Sequence, residues 1–243
     1  MRTLSLAAVK KELRARGTKK RAKASAWFFK TGAGQYGEGD VFIGVPVPQQ
    51  RAIAKKFREL SHIDTLRLLH SREHEFRLTA LFILVDQFRR GDKARRAKIY
   101  AAYLSNTRWI NNWDLVDSSA PHIVGEYLKG KNTSVLFSLA RSSSLWERRI
   151  AALSTFAFIA EGDARPSLRI AKILLRDEHD LIQKAVGWML REVGKRCGER
   201  AEAAFLDAQY RAMPRTMLRY AIERFPKKLR AHYMARQSEA RKE

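Results

Sequence analysis

Arg77-Leu78-Thr79-Ala80-Leu81, Trp113-Asp114-Leu115-Val116-Asp117, Arg149-Ile150-Ala151-Ala152-Leu153 and Lys184-Ala185-Val186-Gly187-Trp188 superpose with a nearly constant period of about 36 residues. That spacing belongs to two-helix solenoid units, each of which buries its apolar face only by stacking on its neighbours. Apolar residues recur at helical spacing almost everywhere after residue 48, and alternating strand patterns are missing. The fold expected is all-α: one domain over 1–243, with N-terminal helices and a Gly-rich loop in 1–48 and two-helix repeats over 49–238. Predicted helices include 18–30, 72–90, 107–118, 145–160 and 180–196, closed by stop signals at Gly91, Gly130, Gly162 and Gly198. Successive units should stack into a curved superhelix.

If the second helix of each unit lines the concave face, Arg77, Trp113, Arg149 and Lys184 project into one groove. The residues one turn on, Leu81, Asp117, Leu153 and Trp188, lie on the same side. This strip gathers two tryptophans, a carboxylate and cations, while Leu115, Val116, Ile150, Val186 and Leu190 remain to fill the core. Spacing alone leaves a second reading open, with Trp113 and Trp188 as packing residues and Asp117 as a turn acid. Trp27, Trp109 and Trp146 read as core or rim.

The 48 Lys and Arg against 25 Asp and Glu give a formal net charge of +23, far beyond what solubility requires. A cationic surface gains affinity for nucleic acid by releasing condensed counterions, which makes double-stranded DNA the first candidate partner and a membrane surface the second. The longest nearly apolar run, Ile150 to Ala160, falls well short of the ~20 residues that span a bilayer. Cys197, the only cysteine in the sequence, leaves no internal disulfide or multi-cysteine metal site. With no secretory signal recognised, the expectation is a cytoplasmic, nucleoid-associated monomer with no cofactor and no metal.

Three other signals carry less. The glycines between Thr31 and Pro48 could cradle a phosphate, but the Gly-Lys-Ser/Thr ending of a P-loop is missing, and a flexible surface loop near bound DNA fits better. His70-Ser71-Arg72-Glu73-His74 matches an inverted zinc-protease pattern. Ser71, read as the N-cap of the next helix, would put His70 outside it and spoil the ligand face. The basic run from Lys10 to Lys23 is either a DNA-gripping flank or a solvated helix face.

Asn112-Trp113-Asp114-Leu115-Val116-Asp117, Trp146-Glu147-Arg148-Arg149-Ile150-Ala151-Ala152 and Gln183 to Glu192 resemble the AlkD-type DNA alkylation repair glycosylases, as does Met213-Pro214-Arg215-Thr216. The resemblance runs roughly from Ala26 to Tyr233. It implies a HEAT-like-repeat superhelix that excises cationic N3- and N7-alkylpurines from duplex DNA. It places the catalytic aspartate on Asp117, its flanking tryptophans on Trp113 and Trp188, and a phosphate-binding arginine on Arg149. An aromatic contact falls within Trp27-Phe28-Phe29 and is taken at Phe28. The Gly-rich insert after Lys30 departs from the shorter connection of the type member.

These residue types suit that chemistry. An alkylated purine already carries positive charge and leaves without an acid, so the enzyme must stabilise the cation developing on the deoxyribose, which a fixed carboxylate does electrostatically. Indole faces attract the same charge and exclude water. Arg149, Lys184, Arg191 and Arg77 would hold phosphates. No lyase lysine stands out, so the expected enzyme is monofunctional, and whether the base is flipped is left open. The main alternative is a non-catalytic helical-repeat protein that binds DNA or RNA, with the tryptophans as stacking platforms.

Overall fold

Helices carry the whole architecture of the described residues, 4–239, of this computed structural model; the one β-type contact is an isolated bridge between Val41 and Glu73. The chain forms two compact units, Met1–Ser119 and Ala120–Glu243. In the first, α1 (Leu6–Arg16), α2 (Lys19–Phe28), α3 (Val47–Lys56), α4 (His62–Leu69), α5 (His74–Arg90) and α6 (Lys93–Leu104) precede a short 3-10 turn, Thr107–Trp109, and α7 (Trp113–Asp117). In the second, a π-helical turn at Pro121–Gly125 runs into α8 (Glu126–Leu128). It is followed by α9 (Ser134–Ala140), α10 (Leu145–Ser154), α11 (Phe156–Ile159), α12 (Arg165–Ile173), α13 (Asp180–Cys197), α14 (Glu199–Gln209), α15 (Arg215–Ala221) and α16 (Lys227–Glu239).

Each unit is organised around one long helix. α5 is buried nearly all round, with every residue from His74 to Val85 enclosed, and is wrapped by α3, α4, α6 and α7. α13 buries Ile182, Val186, Met189, Leu190 and Val193 against α10, α12, α14 and α15. Gly187 sets the α13–α15 approach, because a Cβ there would stand 2.5 Å from the Met217 carbonyl oxygen. Side-chain caps start several helices, among them Ser61 for α4, Asp92 for α6 and Ser144 for α10.

Three expectations about the helices are corrected. The helix predicted over 107–118 is broken, because Asn112 adopts an extended backbone (φ −152°) and its side chain accepts from the Trp113 amide at 2.8 Å, which restarts the helix as α7. The helix predicted over 145–160 divides between α10 and α11 at Thr155, whose hydroxyl turns back to the Ala152 carbonyl at 2.6 Å. Ser71 is not a cap: it is buried, and α5 begins after Glu73 without a side-chain cap.

The Gly-rich segment is tied down by charge rather than lying loose. Glu75, 2% exposed, accepts from the backbone amides of Ile43, Gly44 and Val45 at 2.7–3.3 Å, so these loop amides cradle the protein's own carboxylate and not a phosphate. Gly44 is required there. Its φ of +80° belongs to the left-handed region, and a Cβ would come within 2.3 Å of the Thr18 carbonyl oxygen. Asp40 from the same loop is buried against α5, accepting from Arg77 Nη2 at 2.6 Å and bonding His74 Nδ1 at 3.0 Å.

His74 Nε2 meets Asp114 Oδ2 of α7 at 2.9 Å. Burial alone would push the His74 imidazole down, but the Asp114 charge and the hydrogen bonds to Asp114 and Asp40 outweigh it and hold the pKa up at about 9. Burial would raise the Asp40 carboxyl, yet the bond from His74 and the Arg77 charge keep it below the usual carboxylate range. Both ring nitrogens of His74 are therefore committed to carboxylates.

Two outcomes follow. Glu75→Gln turns an amide donor toward backbone donors and should lower the free energy of unfolding by about 2 kcal/mol, read from the urea midpoint; an unmoved midpoint would contradict the cradle. His74 is charged in the folded chain up to pH about 9 but has an ordinary value of 6.5 when unfolded. Its contribution is thus complete below pH 6.5 and lost as pH rises through 9. The stability gap between wild type and His74→Gln should narrow over that window by roughly 3 kcal/mol, whereas a gap independent of pH would refute the assignment.

Candidate functional site

α7 is five residues long, too short to hold itself in place, and the buried network positions it. Asn112, fully buried, donates to Asp40 Oδ2 at 3.2 Å while capping Trp113; Asp114 bonds His74 and accepts from the Leu115 amide at 2.9 Å. Leu115 and Val116 are sealed in the core. With that side of the turn turned inward, Trp113 and Asp117, four residues apart, share the other face, and both are half-buried.

An aromatic stack sets the indole. Trp113 lies parallel to Phe29 (centroids 5.3 Å apart, 19° between planes) and takes Phe28 edge-on at 6.0 Å. Phe29 stacks in turn on Phe42 at 5.1 Å, and Phe42 on the His74 ring at 4.6 Å. A protonated imidazole below two phenyl rings is a favourable cation–π arrangement. Asp117 stands close enough to the fully buried Tyr103 that its charge adds to burial in pushing the phenol upward, against the Ser119 hydrogen bond. Tyr103 Oη and Ser119 Oγ lie 2.9 Å apart.

In the second unit, Lys184, Trp188 and Arg191 fall at i, i+4 and i+7 of α13, on one half-buried face. Lys184 and Arg191 line a groove of about 720 Å³ with Arg219, Tyr220 and Arg230. Both carry acidic partners: Lys184 pairs with Asp180 at 2.7 Å, and Arg191 with Glu223. Arg149 on α10 is 5% exposed and donates from Nη1 to the Leu181 carbonyl at 2.5 Å.

Of the expected site residues in the first unit, Phe28, Trp113 and Asp117 are brought together around α7, and Arg77 is not. Arg77 is 2% exposed and spends its guanidinium on Asp40 and on the carbonyls of Ser71 and Arg72, at 3.1 and 2.9 Å. A cation so enclosed and so engaged does not reach a phosphate, and its expected DNA contact is withdrawn. For Trp27 the core reading falls, because it is 83% exposed. Sequence reasoning missed Asp40, His74, Asp114 and Phe42, and from the Trp27-Phe28-Phe29 run it took Phe28 while Phe29 makes the stacked contact with Trp113. The signals present were that aromatic run, the motif that contains Asp114, and His74 as half of a pattern resembling a zinc site.

The family described as DNA alkylation repair enzyme matches residues 9–225. Among solved structures, a protein from Enterococcus faecalis described as a predicted DNA alkylation repair enzyme superposes with a TM-score of 0.67 at 16% identity, over 87% of this chain and 98% of that one. No curated protein matches. At that identity the structural likeness speaks for the all-α helical-repeat fold. The match over 9–225 spans most of the sequence, and the chain belongs to the DNA alkylation repair enzyme family.

Proposed function

We propose that the chain is a monofunctional DNA glycosylase that hydrolyses the N-glycosidic bond of cationic N3- and N7-alkylated purines in duplex DNA. The observation that carries this reading is α7: a carboxylate and an indole on one half-exposed face, held by a buried ion network in a protein of charge +23. A carboxylate beside a polyanion repels its ligand unless it stabilises a cation. The cation here is the deoxyribosyl centre that forms as a positively charged base departs.

In this reading Asp117 stabilises that charge and orients the attacking water. The Trp113 face packs on the sugar, held square by Phe29 and edge-on by Phe28. In the second unit, the resemblance assigns Trp188 to the nucleotide sugar and Arg149 to a phosphate; unlike Arg77, which is locked to the buried Asp40 carboxylate, Arg149 would have to give up the Leu181 carbonyl to make that contact. Lys184 exchanges Asp180 for a DNA phosphate at little cost, because exposed pairs are worth about 0–1 kcal/mol, and Arg191 exchanges the exposed Glu223. The protein works as a monomer and needs no cofactor, since the leaving group brings its own charge.

The test is release of free alkylpurine from methylated duplex DNA. Asp117→Asn should lower single-turnover release roughly 10²–10³-fold, the cost of removing one preorganised charge from a transition state, while duplex affinity holds or rises. Equal release by both proteins would take Asp117 out of the mechanism. Tight duplex binding without release by the wild type would favour the non-catalytic DNA-binding alternative.

A further inference from the structure

Alone among the α-helices of the first unit, α2 buries no residue, and it contains no acid. Its sequence, Lys19-Lys20-Arg21-Ala22-Lys23-Ala24-Ser25-Ala26-Trp27-Phe28, ends on the most exposed large aromatic among the described residues, Trp27 at 83%, followed by Phe28 at 56%. Exposed Lys20, Lys23 and Trp27 stand at i, i+3 and i+7, so they run along one side of the helix, and exposed Lys30 follows just past its end. Phe28 touches Trp113 edge-on, so the stripe adjoins the α7 site. Core packing gives no reason for an indole at this position. A large exposed aromatic within a cationic stripe is the composition of a contact surface.

We propose that Lys20, Lys23, Trp27 and Lys30 form a second DNA-contacting element, in which the lysines take phosphates and the Trp27 indole stacks on a base where the duplex stack is interrupted. The proposal rests on the reading of duplex DNA as the substrate. Apolar and aromatic side chains enter DNA at steps that are already unstacked, and base–aromatic stacking tolerates any sequence. A glycosylase creates such an interruption with every turnover, because its product lacks a base. Trp27 would hold the protein on that product and on a distorted lesion site. An anionic membrane also attracts lysine beside tryptophan, but interfacial helices bury a broad apolar face, and this side of α2 offers Ala24 and one indole.

The experiment measures affinity by anisotropy for an intact duplex, the same duplex with a stable abasic analogue, and phosphatidylglycerol vesicles. Trp27→Ala should bind the abasic duplex about tenfold more weakly, within the range for one lost base stack, and the intact duplex within twofold. Trp27→Phe should recover most of the loss. Lys20→Gln with Lys23→Gln should weaken both duplexes and lower the slope of log affinity against log salt by about 2. Unchanged binding of Trp27→Ala to the abasic duplex would overturn the proposal, an equal loss on both duplexes would overturn the stacking role, and a loss confined to vesicles would assign the stripe to lipid. A wild type that bound neither duplex would instead defeat the DNA reading itself. Because Trp27 is so exposed, its truncation leaves the fold intact, which circular dichroism checks.

Discussion

A protonated imidazole held between two carboxylates, His74 between Asp40 and Asp114, is the interaction on which the first unit depends. It ties the Gly-rich loop and α7 to α5, beside the Glu75, Arg77 and Asn112 hydrogen bonds that cross the same seams. Charges this deep are costly unless each finds a counter-charge and hydrogen bonds. Arg77 is the second cation, so two positive and two negative groups close on themselves with little net charge. Such a cluster adds less to stability than apolar filling could, but it fixes geometry, because each buried charge must keep its counter-charge and hydrogen bonds.

That geometry decides what faces outward. Asp114 and Asn112 fasten the start of α7, Leu115 and Val116 fill the core behind it, and one face of a single turn is left for Trp113 and Asp117. The Phe29–Phe42 stack over the imidazole then aligns the indole. A five-residue helix would fray in isolation. Here its orientation is inherited from the rigid α5, which suits a site whose proposed chemistry depends on a carboxylate held still while charge moves toward it.

Periodicity exposed the helical repeats and the i, i+4 pairing of Trp113 with Asp117, because both are local properties of a helix. It could not expose Asp40, Glu75 or Asp114 as structural groups, since their partners lie 30 or more residues away in sequence and a loop carries no period. Arg77 shows the limit clearly. It occupies the register of Trp113 and Lys184, which predicts another outward cation, but α5 is enclosed on every side and the Gly-rich loop supplies a carboxylate to receive it. Asn112 was equally ambiguous: one side chain breaks a long apparent helix and creates the short one that carries the candidate site. Family membership, by contrast, was legible in three inner motifs before any coordinate was known.

The protonation state of His74 is the point where these arguments meet, and it can be seen directly. Ring nitrogen chemical shifts from ¹⁵N-histidine-labelled protein, followed between pH 5.5 and 9.5, should show His74 with both nitrogens protonated at pH 7.5 and titrating only near 9. A His74 ring that is neutral at pH 7.5, titrating near 6.5 like a solvated histidine, would contradict the account of how α7 is held.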